Sequence, residues 1–124
     1  MEHALITIYH NPRCSKSRET LALVQEVAER DGQPLNVIDY LKTPPDLAAL
    51  KDLRAQLGGD VRAMLRDNEE EYASLGLAGA DDAALLAAIA AHSRLLQRPI
   101  VSYQGRAIIG RPPENVLALF GKNN

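Results

Sequence analysis

The first forty residues constrain this chain more than any other stretch. An apolar alternation, Leu5-Ile6-Thr7-Ile8-Tyr9, reads as a strand. A helical pattern (Thr20, Leu21, Val24, Val27, Ala28) follows from about Ser15 to Arg30 and stops at Gly32, a residue suited to a helix C-terminus. A second alternation, Leu35-Asn36-Val37-Ile38-Asp39-Tyr40, comes directly after. Strand, helix and strand in so short a span form a βαβ unit, which requires parallel strands and a right-handed crossover. A layered α/β domain is therefore expected.

The rest of the chain completes that plan. Thr43-Pro44-Pro45-Asp46 opens a helix with Leu47, Leu50, Leu53 and Leu57 as its buried stripe, ended by Gly58-Gly59. Asp60 caps a short helix carrying Val61, Met64 and Leu65 inward. A third helical piece runs from about Glu69 to Leu75 before Gly76. Asp81 or Asp82 caps a fourth, Ala83 to His92, packed through Leu85, Leu86 and Ile89. Ile100 to Tyr103, the turn Gln104-Gly105 and Ala107 to Ile109 read as a hairpin. Arg111-Pro112-Pro113-Glu114 starts a last helix through Val116, Leu117, Leu119 and Phe120, closed by Gly121. At 124 residues this is one domain, with a helical block at about 46–97 inserted between strands two and three.

The junction of the first strand and helix holds the chemistry: Tyr9-His10-Asn11-Pro12-Arg13-Cys14-Ser15-Lys16-Ser17-Arg18, with the only cysteine of the chain. A helix N-terminus leaves amide N–H groups unpaired and carries about half a positive charge. A thiol there is drawn toward its anion. Moving a pKa from about 8.5 to about 6.5 takes roughly 2.7 kcal/mol, whereas a helix terminus supplies ~0.3–1 kcal/mol and ~2 at best. Other donors must help. His10, Arg13, Lys16, Ser17 and Arg18 are at hand, and the Ser17 hydroxyl, one turn along, is expected to donate to the sulfur.

Most free cysteines are buried apolar fillers. Between Arg13 and Ser15-Lys16-Ser17-Arg18, Cys14 stands in surroundings too polar for that, and a nucleophilic thiol is the expectation. One cysteine forms no intrachain disulfide, and no metal-binding spacing is present. A lone thiol suits the reducing cytoplasm. The net charge of −2 disfavours non-specific nucleic-acid binding. No signal peptide is evident, and the longest apolar run, Ala83 to Ala91, is far short of the ~20 residues of a membrane span.

His-Asn-Pro-Arg-Cys-Ser-Lys-Ser-Arg after a strand, Tyr40-Leu41 to Pro45, Val61-Arg62-Ala63-Met64-Leu65-Arg66, Arg98-Pro99-Ile100-Val101 and Gly110-Arg111-Pro112 together resemble the glutaredoxin-linked ArsC arsenate reductases. The likeness runs through nearly the whole chain in order. It implies a thioredoxin-like fold with a mixed four-stranded sheet and a helical insertion. It implies that Cys14 attacks arsenate and that Arg66, Arg98 and Arg111 hold the oxyanion. His10 and Ser17 fall beside the nucleophile as supporting groups, and Pro99 falls where such folds carry a cis-proline. Guanidiniums stay charged and grip tetrahedral oxyanions bidentately, so converging arginines would offset the repulsion between a thiolate and an anion.

With no second cysteine, the resemblance implies that glutathione resolves the adduct as a co-substrate and glutaredoxin reduces the product, with no bound cofactor. Two alternatives stand beside this reading. One is an ArsC-like thiol oxidoreductase acting on glutathione mixed disulfides or another oxyanion. The other is a module like the RNA-polymerase-binding Spx regulators, although those carry Cys-x-x-Cys where this chain has Cys14-Ser15-Lys16-Ser17. Arg62, Arg54, Arg94 and Arg106 are expected to be solvated surface charges, Glu69-Glu70-Glu71 a solvated helix start, and His3 and His92 bystanders.

Overall fold

The structure, a computed structural model, describes residues 4–120. The expectations placed on His3 and Gly121 lie outside that range. The chain divides into two compact units, Met1–Tyr40 with Arg98–Asn124, and Leu41–Gln97.

The first unit is built on a sheet. Strand β1 (Ile6–His10) alternates buried and half-buried residues, the signature of a strand covered more on one face than the other. Helix α1 (Ser15–Asp31) buries Ser17, Thr20, Val24, Val27 and Ala28 along one stripe. It ends on Gly32, whose left-handed backbone (φ 67°) donates its N–H to the Ala28 carbonyl. Strand β2 (Leu35–Asp39) then lies parallel to β1, pairing Ile6 with Leu35 and Ile8 with Val37.

The hairpin of β3 (Ile100–Tyr103) and β4 (Arg106–Ile109) turns on Gln104 and Gly105, both with positive φ, which fits the right-handed twist of the flanking strands. Strand β3 runs antiparallel to β1, so the sheet order is β2-β1-β3-β4 with β1 central. Ile6, Ile8, Val24, Val27, Ala28, Val101, Val116 and Leu119 form the core beneath it.

The last segment departs from expectation. Pro113–Leu119 is a 3-10 helix, not an α-helix. Its buried residues, Pro113, Val116 and Leu119, are spaced by three, the repeat of a 3-10 turn, so this winding keeps all of them on the core.

The second unit is helical, with α2 (Leu47–Gln56), α3 (Glu70–Ser74) and α4 (Asp82–Ala91) joined by 3-10 turns at Val61–Met64, Leu77–Gly79 and Ser93–Leu95. Asp46, Asp60 and Asp81 each cap the element that follows, accepting from the N–H of Ala49, Arg62 and Ala84. Leu50, Leu53, Met64, Leu85, Ile89, Leu95 and Leu96 are buried. The stripe expected on α2 is narrower than its four leucines, because Leu47, next to the cap, is exposed. Among the described residues no helix is long and apolar enough to cross a membrane.

Candidate active site

The turn between β1 and α1 is held by hydrogen bonds that its own residues make. Cys14 donates its N–H to the Asn11 carbonyl at 3.0 Å, and the Asn11 side-chain oxygen accepts the Arg13 N–H at 3.0 Å. That is the local bonding for which asparagine is favoured in turns. The Arg18 guanidinium reaches back to the Pro12 carbonyl at 3.0 Å. Cys14 thereby occupies the N-cap of α1 with extended backbone (φ −96°, ψ 124°).

The sulfur closes no side-chain capping bond, and the first amides of α1 act on it through their charge distribution. Burial pushes the Cys14 thiol up. The Ser17 N–H, the Arg98 charge, the Lys16 N–H and the Arg111 guanidinium together outweigh burial, so its pKa lies below that of an ordinary thiol. Amides and guanidiniums thus act together against the cost of burial.

Ser17 contributes differently from expectation. Its side chain is fully buried, its Oγ lies 2.7 Å from His10 Nδ1, and the same oxygen accepts the Asn11 N–H at 2.9 Å. The hydroxyl is committed to the end of β1, and it is the peptide N–H of Ser17 that serves the sulfur. His10, buried, has its pKa lowered first by desolvation and then by Arg18, against the raising effect of Asp39. The imidazole braces the turn through the Ser17 hydroxyl.

Two of the three expected arginines enter this unit from the far end of the chain. The Arg98–Pro99 bond is cis, as is Arg111–Pro112. Gly110 donates its N–H to the Pro99 carbonyl at 2.9 Å, which ties the end of β4 to the residue before β3. The fit there excludes a side chain: a Cβ on Gly110 would stand 2.6 Å from Thr20 Oγ1 and 2.9 Å from Pro99 Cγ. Next in sequence, Arg111 donates from Nη1 to the Arg98 carbonyl at 3.1 Å. The Arg98 Nε is buried without a partner among the described residues, an uncommon state for so strong a donor. Sequence reasoning passed over Asn11, Thr20 and Gly110. The Asn-Pro turn was readable, but the contact of Gly110 with a helix ninety residues earlier was not.

Arg66 belongs to the second unit. Its N–H donates to the Leu95 carbonyl at 2.7 Å and Gln97 donates to Met64 at 2.8 Å, so residues 64–66 and 95–97 lie side by side. The Arg66 Nη2 pairs with Glu69 Oε2 at 2.9 Å, and Glu69 Oε1 takes Arg94 Nη2 at 3.1 Å.

Three expectations of solvated charge are corrected here. Glu69 is not a solvated charge, being only 13 % exposed between two guanidiniums. Arg62 is not free either: it donates to the Tyr72 hydroxyl and to the carbonyls of Leu77, Ala78 and Ala80, gathering that turn. Arg54 likewise pairs with Asp82 at 2.6 Å.

The model of the ArsC family matches residues 9–119. An arsenate reductase of Neisseria meningitidis serogroup A is 49% identical over 118 residues, covering 93% of this chain and 97% of its own. An uncharacterized protein of Escherichia coli K12, YfgD, is 46% identical over 119 residues, 94% of this chain and 97% of its own. Among solved structures, an arsenate reductase from Vibrio cholerae superposes with a TM-score of 0.84 at 50% identity, covering 95% of this chain and 99% of that one. The fold shared with these neighbours is the thioredoxin-like one, a mixed four-stranded sheet with a helical insertion between its second and third strands.

Proposed function

The chain belongs to the ArsC family, and from that membership we propose that it is an arsenate reductase working through Cys14 with thiol co-substrates. The observation that carries the reading is the Cys14 thiol itself, held below an ordinary pKa by the α1 amides and by Arg98 and Arg111. The same guanidiniums that favour a thiolate suit a tetrahedral oxyanion.

In the proposed reaction the Cys14 sulfur bonds to the arsenic of dihydrogen arsenate, and an arsenic–oxygen bond breaks. The thiol proton and the departing hydroxyl leave as water, giving a cysteinyl–arsenate adduct with arsenic still pentavalent. Glutathione then attacks the Cys14 sulfur. The sulfur–arsenic bond breaks with its electron pair left on arsenic, the glutathione proton goes to the released oxyanion, and arsenite departs. Cys14 remains as a mixed disulfide with glutathione. Glutaredoxin, supplying a thiol, reduces that disulfide and restores Cys14.

Arg98 and Arg111 stabilise charge on the oxyanion as it is displaced. Arg66 is proposed as a further oxyanion-binding guanidinium, His10 and Ser17 as the brace of the turn, and Pro99 as the support for Arg98. Because the cycle draws on cellular thiols, the cytoplasm is the proposed location.

The test is arsenate-dependent oxidation of glutathione in the presence of glutaredoxin. Turnover that disappears in Cys14→Ser is the expected result. Absence of arsenate-dependent turnover in the wild type, with removal of glutathione from a test thiol instead, refutes the arsenate reading in favour of a mixed-disulfide oxidoreductase.

A further inference from the structure

We propose that Glu69 is a positioning residue for anion binding, one that holds the Arg66 guanidinium in its working orientation. The inference rests on the oxyanion-binding role proposed for Arg66. It goes beyond that role by assigning the second unit's own device for setting it.

The geometry is a fork. Glu69 Oε2 holds Arg66 Nη2 at 2.9 Å while Oε1 holds Arg94 Nη2 at 3.1 Å. Both members of the inner pair are nearly enclosed, at 15% and 13% exposure, whereas Arg94 is 61% exposed. Glu71 lies 3.7 Å from Arg94 Nη1, so Arg94 is shared outward between two carboxylates. The inner pair is the enclosed one. The Arg66 backbone is itself tied through its N–H to Leu95, so main chain and guanidinium are both anchored.

A guanidinium carries five N–H donors in a rigid plane. The carboxylate on Nη2, together with the Arg94 carbonyl 3.5 Å from Nη1, sets the direction of the whole plane. An arginine side chain that must be ordered at the moment of binding loses rotamer freedom there and then. Glu69 meets that loss during folding, so the anion meets an arginine already in place. The function of Glu69 is therefore pre-ordering, and its own charge, divided between two guanidiniums, does not cancel that of Arg66 alone.

The experiment measures arsenate KM and kcat, and arsenate protection of Cys14 against alkylation, in Glu69→Ala, Glu69→Gln, Arg66→Ala and the double variant. Glu70→Ala is the control, removing an exposed charge from the same helix start. Glu69→Ala is expected to raise KM and the half-protecting arsenate concentration about fivefold with kcat within about twofold. Glu69→Gln, which keeps the size and one acceptor, is expected to raise both about threefold. Glu70→Ala is expected to leave both at wild-type values. In the Arg66→Ala background, Glu69→Ala is expected to add nothing, because its effect runs through that one side chain.

An unchanged or lowered KM in both Glu69 variants overturns the proposal. So does an equal effect with and without Arg66. If Glu69→Ala does not fold, Glu69→Gln decides alone. If Arg66→Ala itself leaves KM and protection unchanged, the oxyanion role of Arg66 fails and the proposal with it. A wild type without arsenate turnover is a separate failure, that of the proposed function.

Discussion

Replacing Gly110 with alanine tests how the late arginine is set beside the thiol. The backbone of Gly110 is not in the left-handed region, so alanine meets no torsional objection and the perturbation is purely one of volume. The new methyl would stand 2.6 Å from Thr20 Oγ1, 3.1 Å from Thr20 Cγ2 and 2.9 Å from Pro99 Cγ. Those separations fall short of ordinary contact by roughly half to one ångström. Neither neighbour yields readily. Thr20 is fully buried, and its hydroxyl donates to the Lys16 carbonyl at 2.8 Å, while Pro99 is a ring whose carbonyl already takes the Gly110 N–H. Overpacking of this kind costs about 1–3 kcal/mol, and with stiff partners on two sides the upper half of that range is expected. For a chain of this size about 2–3 kcal/mol lowers Tm by roughly 6–15 °C. Because Arg111 follows directly, its hold on the thiol weakens too, and the Cys14 pKa rises toward that of a free thiol. Thermal unfolding and the pH dependence of alkylation read the two effects. Thr20→Ala removes both contacted threonine atoms, so the Gly110→Ala/Thr20→Ala pair should recover about 1 kcal/mol or more relative to the sum of the single changes. A wild-type Tm in Gly110→Ala, or strict additivity of the pair, would refute the steric account.

Other outcomes follow from the same geometry. Arg98→Ala and Arg111→Ala should each shift the alkylation profile of Cys14 to higher pH, and an unmoved profile in both removes the guanidiniums from the account of its acidity. Since the folded thiol is the stronger acid, its contribution to stability is present above the unfolded thiol's pKa and fades as pH falls through the folded one; comparing wild type with Cys14→Ser by denaturant titration across that window checks the sign. Ser17→Ala should cost about 1–3 kcal/mol, from the His10 and Asn11 partners left without the hydroxyl, while moving the Cys14 pKa much less than Arg111→Ala does. Arg62→Ala, measured by hydrogen exchange, should loosen residues 77–80 and lower stability by about 1–2 kcal/mol, the exposed guanidinium being worth less than four enclosed bonds.

What the sequence disclosed was local in origin. The alternation of Ile6 and Ile8, the stop at Gly32, the Asp60 cap and the Gln104-Gly105 turn each depend on a few neighbouring residues, and each is found where those neighbours put it. Cys14 was legible for the same reason, since a strand end, a proline and a helix start specify a thiol at an N-cap. The roles of Ser17, Arg62 and Glu69 were not. Spacing identifies the face on which Ser17 lies but not whether its hydroxyl or its amide meets the sulfur, and His10 decides that. The acceptors of Arg62 lie ten to eighteen residues downstream, and the second guanidinium on Glu69 lies twenty-five residues away. No periodicity encodes such partners. The 3-10 winding of Pro113–Leu119 was visible in principle, in the interval between its buried residues, but an apolar pattern opened by prolines resembles an α-helix more often.

The order in which the chain is made gives the position of its arginines a further meaning. Cys14 emerges from the ribosome early, while Arg98 and Arg111 come near the end, and they act on the sulfur only when β3 has joined β1 and β4 has joined β3. Until then the thiol has only the α1 amides to favour its anion and lacks the share that the two guanidiniums supply. Part of the thiol's acidity is thus conferred only by completed folding, so that an unfinished or unravelled molecule carries a sulfur less readily ionised than that of the finished protein.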